Sequence, residues 1–177
     1  MPKIIENIRD TALEETRKVL ESEGYDSLAM RDIAARCGIA VGTLYNYFES
    51  KEFLTACVVL EDWQECSGRM NEEVFSAGSA MEGMRKIYSL MGEFVHNHRY
   101  LMSMDRRKMS GRYGYEERHS LLMQEMTLLL DMLFERHGLT IDPSVKTVTA
   151  ELILNMNEKN YDYTQAEPAL ELLLGQQ

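Results

Sequence analysis

The sequence predicts an all-α protein, with an N-terminal three-helix helix-turn-helix domain followed by a larger C-terminal helical domain. Apolar residues recur at spacings of three and four along the whole chain, and no run of alternating β-branched residues interrupts this pattern. Only three prolines occur in 177 residues, and 45% hydrophobic with 27% charged residues is an ordinary globular composition. The expected domains are residues 1–50 and 51–177.

Helical periodicity begins near the N-terminus. A helix is predicted from Pro2 to Ser22, with Gly24 after it as a stop signal. Its apolar face comprises Ile5, Ile8, Ala12, Thr16, Val19 and Leu20. The segment is therefore expected to form an amphipathic helix with one buried face.

Two short helices follow, joined by a tight turn. The apolar stripe of the first comprises Met30, Ile33, Ala34 and Cys37. This helix ends at Gly38, a residue free to adopt a left-handed conformation. The second is predicted from Val41 to Phe48, with Leu44 and Phe48 facing inward. Two short helices joined by a glycine-containing turn are the architecture of a helix-turn-helix.

The remaining chain predicts further helices from start signals and periodicity. Ser50 is a candidate N-cap, Ser79-Ala80-Met81-Glu82 is a capping box, and Asp142-Pro143 combines an N-cap with proline at the first helical position. The predicted helices are Lys51 to Phe75, Ser79 to His98, Tyr100 to Met109, Tyr115 to His137, Pro143 to Asn157 and a terminal helix through Leu174.

The second short helix leaves most of its side chains pointing outward. These outward residues are Val41, Thr43, Tyr45, Asn46 and Tyr47. Burying them in so short a helix requires a partner surface, and the major groove of DNA, about 12 Å wide, accepts one α-helix. The alternative is that the two exposed tyrosines belong to a purely structural dimer interface.

This stretch resembles a known family. It contains Arg31-Asp32-Ile33-Ala34, then Gly38-Ile39, then Gly42-Thr43-Leu44-Tyr45-Asn46-Tyr47-Phe48-Glu49-Ser50-Lys51. The pattern is similar to the DNA-binding signature of the tetracycline-repressor (TetR) family. The resemblance covers roughly residues 5–55, and the rest of the chain resembles the family only in being helical. It implies a ligand-responsive transcriptional regulator, in the simplest case a repressor, that binds a palindromic double-stranded DNA operator as a homodimer and is released by a small-molecule effector.

The resemblance also implies roles for individual residues. Arg31 would lie near the groove, Gly42 would allow close approach of the backbone to DNA, and Thr43 would bond to a phosphate or a base edge. Asn46 would contact a base edge, the neighbouring tyrosines would donate to phosphates, and Lys51 would pair with a phosphate. The implied DNA-binding residues are Arg31, Val41, Gly42, Thr43, Tyr45, Asn46, Tyr47 and Lys51.

The chain departs from the family pattern just before the second helix. The family commonly has Ser or Thr there, and this chain has Leu28-Ala29-Met30. A capping hydroxyl is therefore missing at this position unless Ser27 supplies it.

The C-terminal domain contains residues suited to an adaptable apolar pocket. Methionine fills irregular spaces and adjusts to varied ligands. The candidate pocket residues are Trp63, Tyr88, Met91, Phe94, Met102 and Met104. Ordinary core packing is the alternative for each of them.

Two C-terminal helices are apolar on several faces, so more than one neighbour must bury them. We expect them to pack against their symmetry mates in a four-helix dimer interface, as the resemblance also implies. The expected interface residues are Leu122, Met126, Leu129, Leu133, Val148, Leu152 and Met156.

The net charge of −10 limits the possible DNA surface. Residues 1–51 contain seven basic and nine acidic residues, but 27–51 contain three basic and two acidic residues. A weakly basic DNA surface in that stretch predicts strongly salt-sensitive binding, because phosphate contacts require Lys or Arg.

Other sequence features predict neither cofactor nor metal. His96 and His98 point to different helix faces and are expected at the surface, so they do not form a chelating pair. Three cysteines, Cys37, Cys57 and Cys66, match no zinc or disulfide spacing and are expected to be reduced, with redox sensing as the alternative. A cytoplasmic protein is expected, because the sequence contains neither a signal peptide nor an apolar run long enough to cross a bilayer.

Two other classes of function compete with a regulator. An enzyme is not expected, because no nucleophile with its base, metal-ligand spacing or phosphate-binding loop is present, although Glu93 lies near His96. The low positive charge of the N-terminal domain also permits a helical dimeric interaction module without DNA binding.

Overall fold

A computed structural model describes residues 7–99 and 115–174 of the chain, and all regular elements in these ranges are helical. The all-α prediction is confirmed. The helices are α1 (Ile8–Ser22), α2 (Met30–Arg36), α3 (Val41–Tyr45), α4 (Lys51–Ser76), α5 (Ala80–Asn97), α6 (Tyr115–Arg136), α7 (Pro143–Glu158) and α8 (Tyr163–Leu174), with a 3₁₀ turn at Tyr25–Ser27. The predicted helix from Tyr100 to Met109 lies outside the described residues. No helix within the described ranges is long and apolar enough to span a membrane.

The described residues form two compact units. The first contains residues 7–62, 98–99 and 115, and the second contains 63–97 and 116–174. The domain division expected after residue 50 stays a prediction.

The first unit is organised around one apolar core. Residues from four helices and the segments between them are at most 3% exposed in this core: Ala12, Leu13, Leu20, Leu28, Ile33, Ala34, Leu44, Phe48, Leu54 and Val58. Each large apolar side chain buried in this way contributes roughly 1.5–3 kcal/mol to folding. The core thus fixes α1, α2 and α3 against the beginning of α4.

Side-chain caps set the starts of several helices. The Ser50 hydroxyl accepts a hydrogen bond from the Phe53 N–H at 3.1 Å, and the Asp142 carboxylate accepts one from the Ser144 N–H at 2.8 Å. Both predicted caps are confirmed. The Ser79 hydroxyl accepts from the Glu82 N–H at 3.2 Å, but the Glu82 carboxylate bonds to the N–H of Gly78 and not to that of Ser79.

The second unit is held together by close helix packing and by buried polar contacts. At Gly83 of α5, an added Cβ would lie 2.3 Å from Leu133 of α6, so these helices meet at a residue without a side chain. The buried Asn157 amide of α7 donates to the Tyr88 carbonyl of α5 at 3.3 Å. The Tyr88 hydroxyl donates in turn to the Tyr161 carbonyl at 2.7 Å.

The three cysteines are free thiols. Cys37 and Cys66 are buried and Cys57 is half-buried. Burial raises the pKa of Cys66 to about 11 and also raises the pKa of the other two thiols. All three are therefore protonated at neutral pH, the form that reacts slowly with oxidants.

Candidate nucleic-acid interface

Helix α3 is anchored by two side chains. Leu44 is fully buried and Phe48 is 1% exposed, as predicted for this inward-facing pair. The helix ends at Tyr45, three residues earlier than the predicted Phe48. Hydrogen bonds from the Tyr47 and Phe48 N–H groups to the Leu44 carbonyl continue the turn, so Phe48 still reaches the core.

The outward side of α3 and of the turn after it is exposed. Val41, Tyr45 and Tyr47 are 39%, 50% and 46% exposed. Gly42 and Asn46 are exposed as well, and Thr43 is half-buried. The structure therefore brings six of the eight proposed DNA-binding residues together on one short segment.

The turn between α2 and α3 depends on a left-handed glycine. Gly38 has φ of 68°, a conformation that costs other residues energy. The N–H of Ile39 bonds to the Ala34 carbonyl at 3.0 Å and that of Gly38 to the Ala35 carbonyl at 3.1 Å. These bonds close the end of α2 and set the direction in which α3 leaves it.

Helix α2 begins without a side-chain cap. Ala29 occupies the N-cap position, and the Ser27 hydroxyl donates to the Glu23 carbonyl at 3.1 Å. Ser27 therefore does not replace the missing hydroxyl. At the first turn of α2, the Arg31 side chain is 88% exposed, with its Nε 3.7 Å from the Asp32 carboxylate.

Lys51, the remaining predicted DNA contact, lies at the first position of α4. Its Nζ is 4.0 Å from the centroid of the Tyr25 ring, and the Tyr25 hydroxyl donates to the Glu52 carboxylate at 3.0 Å. Partial burial lowers the pKa of Lys51, although Asp26 and Glu52 act to raise it. Tyr25 and Glu52 are not among the predicted site residues, because helical periodicity carries no signal for a contact between separate elements.

A partly buried ion-pair network connects α1 with α4. The Arg17 guanidinium lies 2.6 Å from Asp62, and His98 Nε2 lies 2.9 Å from the same carboxylate. Burial acts to raise the pKa of Asp62, but hydrogen bonds from His98 and Arg17 hold it below its ordinary value. His98 is 6% exposed, so the expectation of a surface histidine is wrong, because a carboxylate partner offsets the cost of burying the ring.

The candidate pocket residues of the second unit separate into two places. The indole of Trp63 packs edge-on against Phe94 at 5.2 Å between ring centroids and donates to the Glu125 carboxylate. Tyr88 packs instead against Tyr163, and Met91 is fully buried. Met102 and Met104 lie outside the described residues.

The expected dimer-interface residues also divide. Met126, Leu129 and Leu133 are at most 3% exposed within the protomer, so they offer almost no surface to a second subunit. Val148 is 53% exposed, and the half-buried residues are Leu122, Leu152 and Met156. Among the described side chains of α6, the exposed large apolar ones are Leu121 and Leu128, at 59% and 57%, and neither is in the predicted set.

The short helices, their left-handed turn and the exposed face of α3 define a helix-turn-helix DNA-binding domain. The sequence profile described as "Bacterial regulatory proteins, tetR family" matches residues 12–56. This part of the chain is therefore similar to the N-terminal DNA-binding region of that family.

Relatives agree with this assignment. The chain is 33% identical over 66 residues to the HTH-type transcriptional regulator UidR of Escherichia coli (strain K12), a match that covers 37% of this chain and 34% of UidR. It is 30% identical over 71 residues to the HTH-type transcriptional repressor KstR of Mycolicibacterium smegmatis, covering 40% of this chain and 35% of KstR. The chain thus spans about a third of the length of these curated relatives.

Solved structures share the fold over almost the whole chain. The transcriptional regulator FadR from Bacillus subtilis in complex with stearoyl-CoA superposes with a TM-score of 0.68 at 19% identity, covering 93% of this chain and 97% of FadR. SCO7518 from Streptomyces coelicolor A3(2) gives a TM-score of 0.72 at 17% identity, covering 96% and 99%. At such identities these structures establish the fold alone.

Proposed function

We propose that the protein is a ligand-responsive transcriptional regulator that binds a palindromic operator as a homodimer and is released by a small-molecule effector. The observation that supports this most directly is the exposed face of α3, anchored by Leu44 and Phe48. Because only these two side chains hold α3 against the core, its other side chains can enter a major groove without any rearrangement of the core. Repression is the simplest outcome of operator binding.

The outward residues supply the chemistry that DNA recognition needs. The Asn46 amide has a donor and an acceptor for a base edge, and the hydroxyls of Tyr45 and Tyr47 are donors for phosphate oxygens. Arg31 and Lys51 add positive charge beside α3. The rest of the chain is acidic, which opposes non-specific DNA binding and makes operator binding depend steeply on salt.

Selection from a random-sequence duplex library, followed by gel-shift titration, tests DNA binding. We expect Asn46→Ala to weaken binding to the selected duplex by about 1–3 kcal/mol and to relax base preference. Tyr47→Phe should weaken binding to all duplexes alike, because a phosphate contact carries no sequence information.

The matched control is Tyr161→Phe, an exposed tyrosine of the second unit, which should bind DNA as the wild type does. Failure of the wild type to enrich any duplex, even at low salt, would refute the proposal.

We also propose that α6 and α7 form the dimer interface. Leu121, Leu128 and Val148 expose apolar surface that a second subunit would bury, and Leu152 lies along the same helix as Val148. Contacts from α7 to α6, between Lys146 and Asp131 and between His119 and Glu151, hold the two helices together as one surface.

Light scattering after size-exclusion chromatography tests this interface. Leu128→Glu should convert a dimer into a folded monomer, because a charge would be placed in an apolar contact. Gln64→Glu introduces the same charge at an exposed position of α4, outside the proposed interface, and should remain dimeric. Equal masses for the two variants would contradict the proposed interface.

The proposed effector is an apolar or amphipathic small molecule that binds near Trp63, Met91 and Phe94 of the second unit. The stearoyl-CoA of the B. subtilis FadR complex makes long-chain acyl thioesters the first compounds to assay. Trp63 is the only tryptophan in the chain, so quenching of its fluorescence reports binding in this region directly.

A further inference from the structure

We infer that Tyr25 is a positioning residue for DNA binding: its ring holds the Lys51 ammonium and its hydroxyl holds the Glu52 carboxylate, so that Lys51 remains available to a DNA phosphate. This inference rests on the proposed function and extends it to a residue outside the predicted DNA-binding set. It is carried by the geometry of Tyr25, Lys51 and Glu52 in the first unit.

The location of Lys51 is unfavourable in the free protein. It is the first residue of the 26-residue α4, where the helix dipole repels a cation. Partial burial also disfavours the ammonium and lowers its pKa. Within the described part of the chain, Lys51 forms no ion pair with a carboxylate, so the aromatic face of Tyr25 is the contact that holds its charge.

Two carboxylates lie close enough to compete for Lys51. Asp26 and Glu52 both act electrostatically on the ammonium. Glu52 is directed elsewhere, because its Oε1 accepts the Tyr25 hydroxyl proton at 3.0 Å. If that hydroxyl is removed, Glu52 keeps its hydrogen bonds with Ser50 and its own backbone N–H but loses the partner that competes with Lys51 for its carboxylate. Pairing with Lys51 would then neutralise the charge that a phosphate would use.

Tyr25 therefore acts in two ways through one side chain. Its ring face attracts the ammonium by the cation–π interaction, which leaves the lysine N–H donors free to bond outward. Its hydroxyl donates to the Glu52 carboxylate, which would otherwise compete with a phosphate for Lys51. A phosphate that arrives at Lys51 then replaces no existing ion pair, which favours binding.

A double-mutant cycle on the duplex selected by the wild-type protein tests this role. We expect Tyr25→Phe to weaken binding about threefold, the scale of an exposed ion pair that competes with the phosphate. Glu52→Gln should restore more affinity in the Tyr25→Phe background than it adds to the wild type. The two substitutions should not be additive, because the Glu52 carboxylate competes for Lys51 only when the Tyr25 hydroxyl no longer binds it.

Asp26→Asn is the matched control, because it removes a negative charge that also acts on Lys51. Its effect should be additive with Tyr25→Phe. Tyr25→Leu, which removes the aromatic face as well, should weaken binding about tenfold. It should also lower the slope of log K against log[salt] toward that of Lys51→Gln, by about 0.9 for each lost phosphate contact.

The possible outcomes distinguish a failure of the proposed function from a failure of the inference about Tyr25. If the wild type binds no duplex, the proposed function and this inference are both overturned. If Lys51→Gln weakens binding while Tyr25→Phe and Glu52→Gln are additive and the salt slope of Tyr25→Leu matches the wild type, the inference alone is overturned. Thermal unfolding of each variant establishes that the compared proteins are folded.

Discussion

Replacement of Phe48 by alanine should reduce the free energy of unfolding by about 3–5 kcal/mol, because it leaves a cavity where a fully buried ring packs. Phe48 is 1% exposed, and its ring centroid lies 6.2 Å from that of Phe53. The same ring anchors the C-terminal side of α3, so DNA affinity should be lost together with stability. Urea denaturation followed by circular dichroism measures the first effect, and gel shift the second.

The chain contains a matched control for this substitution. Phe75 lies on α4 but is 59% exposed, so Phe75→Ala should change stability by at most about 0.5 kcal/mol. Similar losses for the two variants would mean that Phe48 is not packed as described.

Gly83→Ala should destabilise the protein by about 1–3 kcal/mol, although alanine is normally the better helix former. The added Cβ would lie 2.3 Å from Leu133, which is itself fully buried and cannot move without disturbing its neighbours. Denaturant titration of the variant gives the change in free energy of unfolding.

Gly68→Ala is the same chemical change but should have the opposite effect on stability. Gly68 lies within α4, and an added Cβ would meet no atom within 4 Å. This variant should therefore gain up to about 1 kcal/mol from helix propensity. A gain in stability for Gly83→Ala as well would disprove the close contact between α5 and α6.

Features that depend on neighbouring residues could be predicted from the sequence. The inward pair Leu44 and Phe48, the left-handed turn at Gly38 and the caps at Ser50 and Asp142 all depend on residues a few positions apart. Local spacing therefore determines them, and the structure agrees with each.

Features that depend on distant residues could not be predicted in this way. His98 is buried because Asp62 faces it, and Lys51 is held by Tyr25, and neither pair follows from helical spacing. Helix α6 is apolar around most of its circumference, so the sequence could not show which side faces the protomer. For this reason the sequence predicts Met126 at the dimer interface, although its side chain is fully buried within the protomer.

The anchoring of α3 by only two side chains has a consequence for divergence among descendants of this protein. Because Val41, Thr43, Tyr45 and Asn46 contribute little to the core, substitutions at these positions should cost almost nothing in folding. Under the proposed function, the same substitutions would change what the helix recognises. Leu44 tolerates very little change by comparison. New target sequences are therefore accessible through single mutations while the scaffold that presents the helix is inherited intact.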